Sequence, residues 1–137
     1  MFDHNSSSNI YVSSCLMLVE TVLFWTVDSA AIDHVARGRT SFVEFRQFPK
    51  GSRCIYMGNN ASAVVLGIDT CKLELRGGRT FYLHDVLYAP EVQRNLVSVL
   101  VLLELGFSIM FENGCVKILL DNVYYGFGYL LNGFMVL

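Results

Sequence analysis

The stretch Trp25-Thr-Val-Asp28-Ser29-Ala30-Ala31 carries the most specific chemistry in this chain. An acid closes an apolar run and is followed at once by a small hydroxyl residue and two alanines. A carboxylate placed this way sits on a tight turn. Two such carboxyls about 3 Å apart cannot both ionise, so one keeps its proton and acts as acid while the other activates water as base. A single segment of this kind supplies half of the pair, so the chemistry would require a second copy of the chain. Taken alone, the spacing favours an Asp28 that merely caps a turn, the commoner use of Asp after a strand.

Few other residues compete for that role. The cysteines at 15, 54, 71 and 115 form no C-x-x-C pair, and the histidines at 4, 34 and 84 form no i, i+4 pair. No metal site and no cofactor is expected from such spacing. Buried thiols are the expectation for the cysteines, and a structural role for His34. Arg37, Arg39, Arg46, Lys50 and Arg53 are spread around Glu44 and read as a solvated face.

The elements that must position Asp28 follow from composition and turn signals. The 137 residues are 53% hydrophobic and 16% charged, with net charge −2. That supports one domain with a sizeable core and excludes a disordered chain. The absence of a basic excess argues against nucleic acid as a partner. The apolar runs are too short or too interrupted for a membrane span. Met1-Phe-Asp-His-Asn5 brings no positive charge ahead of the first apolar run, so an intracellular, cytoplasmic protein is expected.

Residues 1–14 read as a flexible leader and 15–137 as the folded domain. Within the latter, short apolar runs alternate with turn signals such as Gly77-Gly78, Asn113-Gly114 and Asp121-Asn122. Cys71-Lys-Leu-Glu-Leu-Arg76 alternates as a half-buried strand should. Strands are also predicted over 53–57, 63–66, 79–87, 107–111, 115–120 and 123–129. Asn113-Gly114 between two such runs signals a hairpin. Six to nine short strands argue for a small sandwich or barrel. Leu96 to Leu105 is predicted as a short helix, with Asn95 as N-cap and Gly106 as the stop.

Several segments together resemble a known family. Trp25 to His34 resembles the W-x-x-D-S-G-A-S-x-H block of the protease region in copia-type LTR retrotransposon Pol polyproteins. In order along the chain, Tyr56-Met-Gly-Asn-Asn60 resembles the hairpin of that family. Val65-Leu-Gly-Ile-Asp-Thr70 resembles V-x-G-I-G-T, and Asp85-Val-Leu-Tyr-Ala-Pro90 resembles D-V-L-Y-V-P. Arg94-Asn-Leu-Val-Ser-Val99 resembles R-N-L-L-S-V, and the Gly106 to Phe111 and Gly126 to Leu130 segments fit as well. The likeness covers about Trp25 to Leu130.

The resemblance implies an all-β fold, a small closed barrel of the retropepsin-like type with one short helix. It further implies a homodimeric aspartic protease acting on a polypeptide. Asp28 would then be the catalytic acid and Ser29 the hydroxyl that braces the two active loops, with Ala30 and Ala31 completing the motif loop. Asn95, Leu96, Val97 and Ser98 match the second structural motif, with Ser98 at its Gly position. Gly58, Asn59 and Asn60 are the candidate flap, with Gly67 as a competitor.

Three departures bear on activity. Ala30 stands where the motif has Gly, Ile32 where it has a hydroxyl residue, and Asp69 where it often has Gly. A misplacement of about 1 Å at a reacting group can cost around 100-fold in rate. A degenerate copy with impaired or lost activity is therefore expected. A working endopeptidase and a non-catalytic interaction domain are the alternatives.

Overall fold

The computed structural model describes residues 24–57 and 60–137. The expected leader at 1–14 lies outside the described residues. In chain order the elements are β1 (Trp25–Asp28), β2 (Val35–Ala36), β3 (Arg46–Gln47), β4 (Cys54–Tyr56), β5 (Ser62–Val64), β6 (Gly67–Glu74) and β7 (Thr80–Tyr88). They continue with β8 (Asn95–Ser98), α1 (Val99–Glu104), β9 (Phe107–Glu112), β10 (Cys115–Leu120), β11 (Val123–Leu131) and β12 (Phe134–Val136). Among the described residues, strands dominate and Val99–Glu104 is the one helix, an all-β architecture.

Ten strands form one sheet in the order β3-β6-β7-β2-β8-β1-β12-β11-β10-β9, and β4 with β5 make a separate hairpin. The expected closed barrel does not appear in the strand pairing, because β3 and β9 remain at opposite ends of the ladder. The sheet instead coils back through the tip of the β6–β7 hairpin. Arg76 bridges Phe127 there, and the Arg79 N–H reaches the Tyr125 carbonyl at 2.7 Å. Gly78 permits this approach, since a Cβ at that position would run into the Tyr125 backbone.

The last four strands form by local pairing. Each neighbours its sequence neighbour, through two-residue turns at Asn113-Gly114, Asp121-Asn122 and Asn132-Gly133. Both residues of each turn have positive φ. That geometry matches the right-handed twist of the strands it joins, and Asn, Asp and Gly tolerate it best.

Two apolar clusters fill the interior. Trp25, Leu73, Phe81, Leu83, Val97, Leu102 and Ile118 belong to the larger one. Phe81, Phe107 and Tyr125 meet there edge to face at 5.2 to 5.8 Å between ring centroids. Val35, Ala63, Val65, Leu87, Ala89 and Val92 form the second, beneath the β4–β5 hairpin. Every second residue along β6 is buried, with half-buried or exposed residues between, which supplies alternate side chains to this interior.

The helix begins later than the sequence predicts. Asn95 to Ser98 is strand β8, and Ser98, not Asn95, caps α1 by accepting the Val101 N–H at 3.2 Å. Asn95 instead accepts the Arg37 N–H at 2.9 Å and donates to the Phe24 carbonyl at 3.2 Å. Gly106, at φ 93, follows the helix end as expected. Of the cysteines, Cys15 lies outside the described residues, Cys71 is buried as expected, Cys115 is half-buried and Cys54, against expectation, is exposed. No helix among the described residues is long and apolar enough to cross a membrane.

Candidate functional site

β8 organises the site. It lies between β1, to which it runs parallel from Trp25↔Asn95 to Asp28↔Ser98, and β2, to which it is antiparallel at Val35↔Leu96. β1 and β2 are consecutive in the chain, so residues 29–34 must arch over the end of β8. Asp28 stands at the first foot of that arch, half-buried, and Ser29 and Ala30 are exposed beyond it.

Within the arch, Asp28 Oδ1 accepts the Ala30 N–H at 2.8 Å. This contact between an acid and the backbone two residues on fixes the carboxylate on its own turn. Ala30 is not among the residues with positive φ, so the backbone here does not require glycine. The motif departure therefore carries no conformational penalty, and what distinguishes Ala30 from Gly is its methyl group.

Ser98 sits fully buried beneath the arch. Its hydroxyl donates to the Ala31 carbonyl at 2.6 Å, and its backbone N–H donates to His34 Nδ1 at 2.9 Å. A glycine at position 98 would leave the Ala31 carbonyl without this donor. Burial holds the His34 pKa down to about 4, with the nearby Asp85 carboxylate pulling in the opposite direction. A bare Nδ1 accepting a hydrogen bond and a neutral ring are the same statement.

The arch opens onto a cleft of about 770 Å³. Its floor comprises Thr26 to Asp33, and one wall is the β4–β5 hairpin through Ile55, Tyr56, Met57 and Ala61. Loop residues Glu91 to Arg94 and the β11–β12 turn, with Gly133, Phe134 and Met135, make the other. The Arg94 guanidinium lies over the Phe134 ring at 3.6 Å. Glu91 accepts the Val64 N–H of β5 at 3.3 Å.

Of the candidate flap, Gly58 and Asn59 lie outside the described residues. Asn60, with φ 59, belongs to the turn that Met57 closes by donating to the Ala61 carbonyl at 2.8 Å. Gly67 is no competitor, because it is buried in β6 against the Phe45 ring. Asp69, the third departure, is buried as well, and its Oδ1 accepts both the Glu44 and Thr70 N–H groups at 2.6 Å. It fastens the 39–45 loop to β6, away from the cleft lining. Among the described residues, no group of three or more His, Cys, Asp or Glu is arranged to hold a metal ion.

The structure thus brings Asp28, Ser29, Ala30 and Ala31 together with Leu96 and Ser98. Of the cleft walls, Arg94 lies in a segment already matched from sequence, whereas Glu91 to Gln93 and Gly133 to Met135 were not singled out. The Asn132-Gly133 pair is the hairpin signal that could have found the latter.

Residues 25–107 match the family described as Pol polyprotein, beta-barrel domain, and the chain belongs to that family. It is also 27% identical over 116 residues to the retrovirus-related Pol polyprotein from transposon TNT 1-94 of Nicotiana tabacum. That alignment covers 82% of this chain and 9% of the polyprotein. Both findings make this a copia-type, Pol-derived retrotransposon domain. No solved structure matches the chain.

Proposed function

We propose that this domain is one half of an aspartic-endopeptidase site, completed by a second copy of the chain and acting on a polypeptide. The observation that carries the reading is the Asp28 carboxylate, held by the Ala30 N–H at 2.8 Å on the floor of an open cleft. Exposed Ser29 next to it is free to brace a partner loop. Two Asp28 carboxyls brought within about 3 Å would share a proton and activate water between them. Rate against pH would then follow a bell, since one carboxyl must be protonated and the other ionised.

Catalysis on this reading is weakened relative to the motif. Ala30 adds a methyl group to the cleft lining, and Ile32, 72% exposed, puts an apolar branch where the motif has a hydroxyl. Processing of a polyprotein would place the domain inside the cell that makes it. The test is incubation of concentrated protein with a peptide library between about pH 4 and 6. Slow cleavage that vanishes in Asp28→Asn supports the reading. Cleavage that survives Asp28→Asn, or none at any concentration, removes it.

One observation favours a second, non-catalytic reading as an interaction domain. Leu100, Leu103 and Leu105 around α1, and Met110 and Phe111 on edge strand β9, are all exposed. Surfaces of this kind mark association sites. Under this reading Met110→Lys abolishes partner capture while Asp28→Asn leaves it intact.

A further inference from the structure

The 29–33 arch stands on two feet, Asp28 at the end of β1 and His34 just before β2, on either side of β8. Both sides are tied to one residue. Ser98 gives its N–H to His34 Nδ1 at 2.9 Å and its hydroxyl to the Ala31 carbonyl at 2.6 Å. The His34 carbonyl in turn accepts the Leu87 N–H at 2.9 Å, anchoring that foot to β7. His34 is only 2% exposed. Its accepting Nδ1 places the ring proton on Nε2, and a second proton on Nδ1 would set two N–H groups against each other.

We propose that His34 is a positioning residue for Asp28: the neutral ring, acting through Ser98, holds the arch that carries the carboxylate, and protonating the ring releases it. The loop-holding part stands on the hydrogen bonds alone. Its consequence for catalysis rests on the reading of Asp28 as the working acid.

The groups around the ring support a transition at acid pH. Asp85 on β7 is the charged side chain whose field reaches it, and Asp33 is its chain neighbour. Asp28 stands at the far foot of the arch. Neither β8 nor β2 brings a titratable side chain. Desolvation outweighs the pull of Asp85 and holds the ring pKa to about 4. The arch is therefore secured while the ring is neutral and freed as pH falls through that value. An acid protease working in this range would lose activity on its acid side by release of the loop, in addition to titration of its own carboxyl pair.

The experiment follows the Ser98 and Ala30 amides and the His34 ring by NMR from about pH 3 to 7. In the wild-type chain, the Ser98 amide and the ring are expected to change together near pH 4. Asp85→Asn keeps an exposed position with φ 55, which Asn tolerates, and should move both midpoints downwards together. His34→Gln offers Ser98 a non-titrating acceptor and should remove the transition at Ser98. A Ser98 midpoint unmoved by Asp85→Asn, or a ring titrating near its ordinary value of about 6.5, overturns the proposal. Should His34→Gln fail to fold, the Asp85→Asn comparison decides.

The two readings can fail separately. Absent cleavage with the Ser98 transition still following His34 removes the protease and leaves the positioning contact. Asp28-dependent cleavage whose acid limb ignores Asp85→Asn removes the positioning role and leaves the protease.

Discussion

The two ends of the long sheet are built on different principles. From β9 to β12 every strand pairs with its chain neighbour across a two-residue turn, and only Glu104, Glu112, Lys117 and Asp121 carry charge after residue 95. Around β8, by contrast, strands separated by some 60 to 70 positions lie side by side. The buried polar residues among those described, Thr26, His34, Asp69, Asn95 and Ser98, all belong to that half. A buried polar group is costly unless it is satisfied, so the hydrogen bonds of His34, Asn95 and Ser98 select one arrangement. Asp69 is satisfied through Oδ1 and not through Oδ2. The meander is held by apolar burial and turn chemistry, whereas the Asp28 arch is held by hydrogen bonds that leave little room for alternatives. Stability can thus be lost at one end with the site geometry intact, and geometry at the other at a smaller cost in stability.

The largest effect expected from that contrast is on stability in the meander. Ile118 is fully buried between β9 and β11, and Ile118→Ala should cost about 2–5 kcal/mol in urea unfolding by cavity formation. The contrast would break if the substitution perturbed the Ala30 and Ser98 amides of the folded protein as strongly as its own neighbours.

A smaller effect comes from pH. The His34 pKa is lowered from 6.5 to about 4 on folding, so the fold favours the neutral ring. Its stabilising contribution is complete above pH 6.5 and is lost as pH falls towards 4. The shift corresponds to roughly 3 kcal/mol. Urea unfolding at several pH values, compared between wild type and His34→Gln, isolates this share from that of the carboxylates. Equal slopes in both chains would remove His34 from the acid sensitivity.

Ser98→Ala sharpens the comparison with the smallest expected stability change, about 1–2 kcal/mol from the lost cap and the unpaired Ala31 carbonyl. Its fractional loss of Asp28-dependent cleavage should exceed that of Ile118→Ala measured where both are folded. The reverse order would mean that the arch is not held from Ser98.

The same contrast explains what could be read from the sequence. Asn113-Gly114 and the alternation of Cys71 to Arg76 report local physics, and the hairpin and strand appear where that physics puts them. Asp28-Ser29 was recognisable because the motif itself is contiguous. The helix start was misplaced because Asn95 has the right chemistry for a cap but is used by Arg37 and Phe24, 58 and 71 positions away. Likewise the His34–Ser98 bond spans 64 positions, and no spacing rule announces it. Cys54 is exposed because β4 belongs to the two-stranded hairpin outside the main sheet, a topological fact invisible in its neighbours.

One chain offers one Asp28, so the central claim is that two chains make the site. Sedimentation equilibrium of the wild-type protein from low to high micromolar concentration tests it most directly. A reversible rise from 15.4 kDa to twice that mass is expected. A monomer across the whole range would contradict it.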